Sequence, residues 1–135
     1  MTAGYSGTPL AQKLGLKPGI RAWFHNMPES VRAEIDPEEL RVEEMEAASE
    51  GLQAAHLFVT ERARLDRELD ALCSLLDRNG FIWVSWPKKA ASLETDITED
   101  VIRDVALPKG LVDIKVCAVD ETWSGLKLVI RKENR

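Results

Sequence analysis

The sequence predicts a small α/β fold: a doubly wound, mostly parallel sheet with helices on both faces, finished by a C-terminal antiparallel hairpin. Three observations carry this. The runs Ala54–Val59 (AAHLFV) and Phe81–Trp86 (FIWVSW) are almost continuously apolar, as in parallel strands covered on both faces. Between them Leu65, Leu69, Leu72 and Leu76 recur at helical spacing. After Pro108 come two strand-like runs separated only by Asp120-Glu121-Thr122, a hairpin pattern. Strands that alternate with helices place the helices on both sheet faces.

In chain order, Thr8-Pro9 starts a short helix, with a hydroxyl cap and a proline at the first helical position, where no N–H is missed. Gly15 and Pro18-Gly19 end it. Ile20–His25 (IRAWFH) is the first strand, rich in strand formers. Pro28 opens a second helix through Ile35. Residues 36–50 carry two signals. Asp36-Pro37-Glu38-Glu39 is a helix cap with a carboxylate at the third helical position, whereas Leu40, Val42 and Met45 suit a strand. A brief strand near 40–44 is expected. Thr60 is expected to cap the leucine helix, and Asn79-Gly80 to stop it. Thr98 caps a further helix bearing Val101, Ile102 and Val105, with Glu99 and Asp100 favourably placed in its first turn. Pro108 and Gly110 end that helix. Val112–Val119 and Trp123–Arg131 then form the hairpin, the only antiparallel pairing expected, with Trp123 as a core or hairpin anchor.

At 135 residues, 44% hydrophobic and 30% charged, the chain has the size and composition of one globular core, so one domain over 1–135 is expected. No apolar run approaches the ~20 residues of a membrane span, and the polar N-terminus lacks a signal-peptide core. A cytoplasmic protein without a membrane partner is expected. The net charge of −5 disfavours a nucleic-acid partner. The acidity is local: residues 28–50 hold nine carboxylates against Arg32 and Arg41, a net of −7, and the other 112 residues sum to +2. A solvated face accounts for this stretch, since it has no calcium-loop pattern. Cys73 and Cys117, 44 positions apart and outside any C-x-x-C, read as free thiols. His25 and His56 alone make no zinc site, so no metal is expected.

G-x-S-x-G and the P-loop pattern are both absent. Ser6-Gly7 and Ser124-Gly125 read as turns, and the Asp120/Glu121 pair as solvated carboxylates at the hairpin turn. One constellation remains. In an open parallel sheet, ligands collect at the carboxyl ends of the strands, near the point where strand order reverses. His25 and Asn26 follow the first strand there, Thr60 and Glu61 follow Ala54–Val59, and Lys88 and Lys89 follow Trp86-Pro87. Pro87 fixes a turn that presents two cations beside the Trp86 indole, which suits a small anion. A strand-ending proline with two solvated lysines gives the same string.

Three stretches, Gly4-Tyr5-Ser6-Gly7-Thr8-Pro9-Leu10, Trp83-Val84-Ser85-Trp86-Pro87-Lys88-Lys89 and Lys115–Lys127 (KVCAVDETWSGLK), together resemble an uncharacterised bacterial domain-of-unknown-function family, nearly end to end. That resemblance implies no activity or site. The chain also resembles the class I methyltransferase core, in which a long helix leads through a glycine turn into a strand like Gly80–Trp86 and the sheet ends in an antiparallel hairpin. This resemblance implies a methyltransferase-like fold. It also implies a glycine-rich loop after the first strand, where backbone approaches S-adenosylmethionine. Here that position reads His25-Asn26-Met27-Pro28-Glu29, with no glycine and with a carboxylate where a phosphate would sit. The expectation is therefore a non-catalytic module without a cofactor, binding a small anionic ligand or a protein partner. Its contacts would be Lys88, Lys89, His25, Asn26, Thr60 and Trp86. The alternative is an enzyme using the same cleft, a degenerate methyltransferase.

Overall fold

The computed structural model describes residues 9–135. At its centre β3 (Leu52–Phe58) and β4 (Leu76–Pro87) pair in parallel, with Ala54 opposite Phe81 and Phe58 opposite Ser85. β1 (Arg21–His25) runs parallel on the other side of β3, and the two-residue β2 (Glu43–Glu44) flanks β1. Two antiparallel strands complete the sheet. β6 (Trp123–Ile130) pairs with β4, and β5 (Leu111–Ala118) pairs with β6 at the edge, giving the order β2-β1-β3-β4-β6-β5. Strand order reverses between β1 and β3. The expected hairpin is present, with a second antiparallel pairing because its last strand lies innermost.

Helices cover both faces. On one, α4 (Arg62–Cys73) and α5 (Glu99–Ala106) pack Leu65, Leu69, Leu72 and Ile102 onto Leu57, Ile82, Val84 and Leu126. On the other, α1 (Leu10–Lys13) and α2 (Glu29–Ile35) pack Leu10, Leu14, Val31 and Ile35 onto Ala54, Phe58 and Trp83. This double cover is why β3 is buried along its length, except for half-buried Gln53. Trp83 is 1% exposed, and its indole N–H donates to the Leu14 carbonyl at 2.9 Å, which ties α1 to the middle of the sheet.

Several local expectations change. α4 ends at Cys73, and Leu76 opens β4 opposite Leu52. The chain then spends five residues, Leu76 to Phe81, where β3 spends two, Leu52 to Ala54. Asn79-Gly80 is thus a bulge inside a strand, not a helix stop. A Cβ on Gly80 would stand 2.9 Å from the Gln53 carbonyl oxygen, so a glycine is required by the close backbone approach. Thr60 is not the cap of α4. Glu61 holds that position without a side-chain bond, and the Arg62 N–H is satisfied from a distant loop by Asp96 Oδ1 at 2.7 Å. Thr98 does cap α5, accepting from the Val101 N–H at 3.2 Å. Pro9 is the N-cap of α1, one position before the first helical residue, and Thr8 lies outside the described residues.

Both signals in residues 36–50 are used in succession. Asp36 Oδ1 accepts from the Glu39 N–H over α3 (Pro37–Leu40); Arg41, at φ +66°, ends that helix, and β2 follows. Ser124-Gly125 is no turn: both residues lie within β6, where a Cβ on Gly125 would stand 3.2 Å from Trp83. Ser6-Gly7 lies outside the described residues. Asp120 makes the hairpin turn instead, accepting from the N–H groups of Thr122 and Trp123 at 2.8 and 2.7 Å. Trp123 anchors the hairpin edge-on to Phe58, with ring centroids 5.2 Å apart. Cys73 and Cys117 are free thiols, each with its pKa raised by burial. No helix among the described residues is long and apolar enough to cross a membrane.

Replacing Trp83 with Phe removes the donor to the Leu14 carbonyl inside the core. The expected cost is ~1–3 kcal/mol, a fall of several degrees in the thermal midpoint followed by circular dichroism. An unchanged midpoint would show that the tie to α1 contributes nothing.

Candidate functional site

The reversal of strand order places three strand exits along one edge of the sheet. At the β1 exit, Asn26 takes a left-handed conformation (φ +57°), and its amide hydrogen-bonds His25 Nε2 at 3.2 Å. The His25 ring leans on Trp23 with centroids 5.6 Å apart. Pro28 is the N-cap of α2 and has no N–H to offer, and Glu29 puts a carboxylate in the first turn of this seven-residue helix. One turn on, Arg32 reaches across to Glu44 of β2 in a two-pronged ion pair, Nη1 to Oε1 at 2.9 Å and Nη2 to Oε2 at 2.7 Å. The hydrogen bonds of this pair raise the Arg32 pKa and lower that of Glu44. In dinucleotide-binding sheets an acidic residue about 20 positions past the first turn grips the ribose. Glu44, the last residue of β2, is held by Arg32. A hollow of about 560 Å³ opens beside the pair, with Glu29, Asp36, Glu38 and Glu44 around the single guanidinium.

At the β3 exit, the Thr60 carbonyl accepts from the Thr95 hydroxyl at 2.7 Å and from the Asp96 N–H at 3.3 Å. Thr60, Glu61, Glu94, Thr95 and Asp96 line a second hollow of about 490 Å³. Three carboxylates and two threonines suit a ligand that donates hydrogen bonds, not an anion. At the β4 exit, Trp86 is half-buried against the α4–α5 side of the core. The backbone N–H of half-buried Lys88 donates to the Thr122 carbonyl at 2.8 Å, and Lys89 is exposed. The expected residues are thus divided. His25 meets Asn26, Thr60 meets Glu61, and Lys88 and Lys89 line neither of these two hollows. Among the described residues no group of three or more His, Cys, Asp or Glu is placed to hold a metal ion.

Beneath the exits lies a polar pair that sequence reasoning had not singled out. His56 Nε2 and Ser85 Oγ share a hydrogen bond of 2.7 Å, at 2% and 0% exposure. The imidazole stacks on Phe58 with centroids 4.3 Å apart. Burial pushes its pKa down to about 3, so the ring is neutral. The signal was a lone His and a lone Ser inside otherwise apolar strand runs, since a polar group there must find its partner across the sheet.

No family model matches the chain and no curated protein matches its sequence, so the expected likeness to a domain-of-unknown-function family is not confirmed. Solved structures do match. A SAM-dependent methyltransferase from Aquifex aeolicus superposes with a TM-score of 0.58 at 14% identity, covering 90% of this chain and 87% of that one. Magnesium protoporphyrin IX methyltransferase from Synechocystis, with bound SAM, gives 0.58 at 11% identity over 91% and 74%. Aeropyrum pernix fibrillarin, in complex with S-adenosyl-L-methionine, gives 0.54 at 12% over 93% and 70%. At such identities the likeness is one of fold. The chain has the α/β, methyltransferase-like fold.

The His56–Ser85 pair sets a pH dependence. An unfolded histidine titrates near its ordinary 6.5 and the folded one near 3, so between these values the unfolded chain holds the extra proton. Stability is therefore full above the unfolded value and falls as pH drops toward 3, by up to ~1.4 kcal/mol per pH unit. His56→Gln keeps a partner for Ser85 and does not titrate. Urea unfolding at successive pH values should show a shallower loss in this variant than in the wild type; equal slopes would mean that His56 is not the buried neutral group.

Proposed function

We propose that this chain is a non-catalytic module that uses the methyltransferase-like fold to bind a protein partner instead of a coenzyme. The observation that carries this reading is the β1 exit. Asn26-Met27-Pro28 replaces the glycine loop, Pro28 lacks an N–H, and Glu29 stands where a phosphate would be favoured. The Arg32–Glu44 pair leaves the carboxylate at the end of β2 already partnered. The carboxylates around Thr60 repel the phosphates of a dinucleotide, which speaks against a nicotinamide coenzyme. A narrower form places a small anion at Lys88 and Lys89 beside Trp86, with His25 and Asn26 as donors; Thr60, among three carboxylates, is the least suited of the expected contacts. In that form, Lys88→Met with Lys89→Met weakens the anion roughly ten- to a hundredfold without loss of fold.

A second reading, a degenerate methyltransferase, is favoured by the neighbours whose structures hold SAM. One experiment separates the two. A ligand at 100 times its dissociation constant stabilises by ~2.7 kcal/mol, several degrees in a melt. Millimolar S-adenosylmethionine is expected to leave the melting curve unmoved. A clear upward shift would overturn the reading that the fold binds no coenzyme, and product formed from S-adenosylmethionine would then identify the enzyme.

A further inference from the structure

One edge of the sheet is acidic, and three lysines outside any ion pair among the described residues gather near the other. At the β2 edge, residues 28–50 span α2, α3 and β2 and carry a net of −7. The Glu43 side chain is 59% exposed there, and Glu46 and Glu50 are exposed too. At the β5 edge, Lys115 stands directly opposite Lys127 of β6, and Lys13 of α1 acts on the neighbouring Cys117. Among the described residues none of these three lysines is in an ion pair. The one carboxylate of β5, Asp113, is taken by Arg103 of α5 at 3.0 Å.

Like charges directly opposite each other destabilise a strand pair. Lys127 is held in that position by the Phe81 ring, 4.4 Å from its ammonium, and burial and Lys115 together lower its pKa. A lysine on an edge strand commonly guards against stray pairing, and that accounts for Lys115. It does not account for Lys127, one strand further in. Nor does it account for Ile114 and Val116, which lie 56% and 55% exposed along the same edge.

We propose that the lysine-bearing β5 edge of one copy docks the acidic β2 edge of a second copy, head to tail. The two edges lie at opposite ends of the six-stranded sheet, so one molecule cannot satisfy its own charges. The acidic edge offers the hollow with four carboxylates around Arg32, and the β5 edge offers lysines outside any ion pair on one sheet face and exposed Val116 on the other. The contact joins two different surfaces, so it propagates into a chain or closes into a ring. This names a partner for the protein-binding module proposed above, and it fails separately. Coenzyme binding overturns that reading alone, and a chain that stays monomeric overturns this one alone.

The test is sedimentation equilibrium of the full chain. At about 10 mM salt, where screening reaches only beyond ~30 Å, the average mass should rise with concentration above the 15.1 kDa monomer. At about 1 M salt it should return to the monomer. Lys115→Glu with Lys127→Glu removes the lysines from one edge, and Glu43→Lys with Glu46→Lys lowers the net charge of residues 28–50 at the other from −7 to −3. Each variant alone should stay monomeric, and their equimolar mixture should form a dimer that grows no further. A wild type that is monomeric at low salt, a mixture that does not associate, or variants that associate alone as well as the wild type would each overturn the proposal. Circular dichroism of each variant checks that the fold is kept.

Discussion

Trp83 is enclosed between the two helical layers, and its one polar atom is consumed by the Leu14 carbonyl. Much else is arranged around that position. His56 sits opposite Trp83 across the β3–β4 pair, and Gly125 has no side chain because one would press on the indole. A large aromatic ring at the middle of a sheet fills volume that smaller side chains would leave as a void. The price is a donor that must be met, and the last turn of α1 supplies the acceptor. The N-terminal helix is only four residues long, too short to stand alone, so its position depends on this bond and on the packing of Leu10 and Leu14.

The same layering decides which parts of the fold are legible in the sequence. Strands covered on both faces must be apolar throughout, and AAHLFV and FIWVSW announce themselves for that reason. Boundaries set by tertiary contact do not. Leu76 continues the helical spacing of Leu65, Leu69 and Leu72, yet it belongs to a strand because Leu52 is its partner. Asn79-Gly80 has the composition of a helix stop and is a bulge, a distinction that depends on where β3 passes. Thr60 has the right chemistry for a cap, but Asp96, 34 residues away from Arg62, reaches the N–H first.

The candidate site divides along the same line. The missing glycine loop was legible, because backbone approach to a phosphate demands a particular residue type at a particular place. The Arg32–Glu44 pair was not, since two charged residues twelve positions apart acquire meaning only when a helix and a strand bring them together. The charge along the sheet had the same standing. The −7 stretch was visible as composition, while the lysines opposing it are scattered over α1, β5 and β6 and meet only through the register of the hairpin.

The inner place of β6 has a consequence for synthesis of the chain. The free side of β4, with its apolar FIWVSW run, is closed by β6 and not by β5, which is made first. About 40 residues separate Pro87 from Ile130, so at ~5–20 residues per second a ribosome needs roughly 2–9 s to deliver the strand that covers it. For that interval the nascent chain presents an open, hydrophobic strand edge, the kind of surface that chaperones and stray pairing compete for.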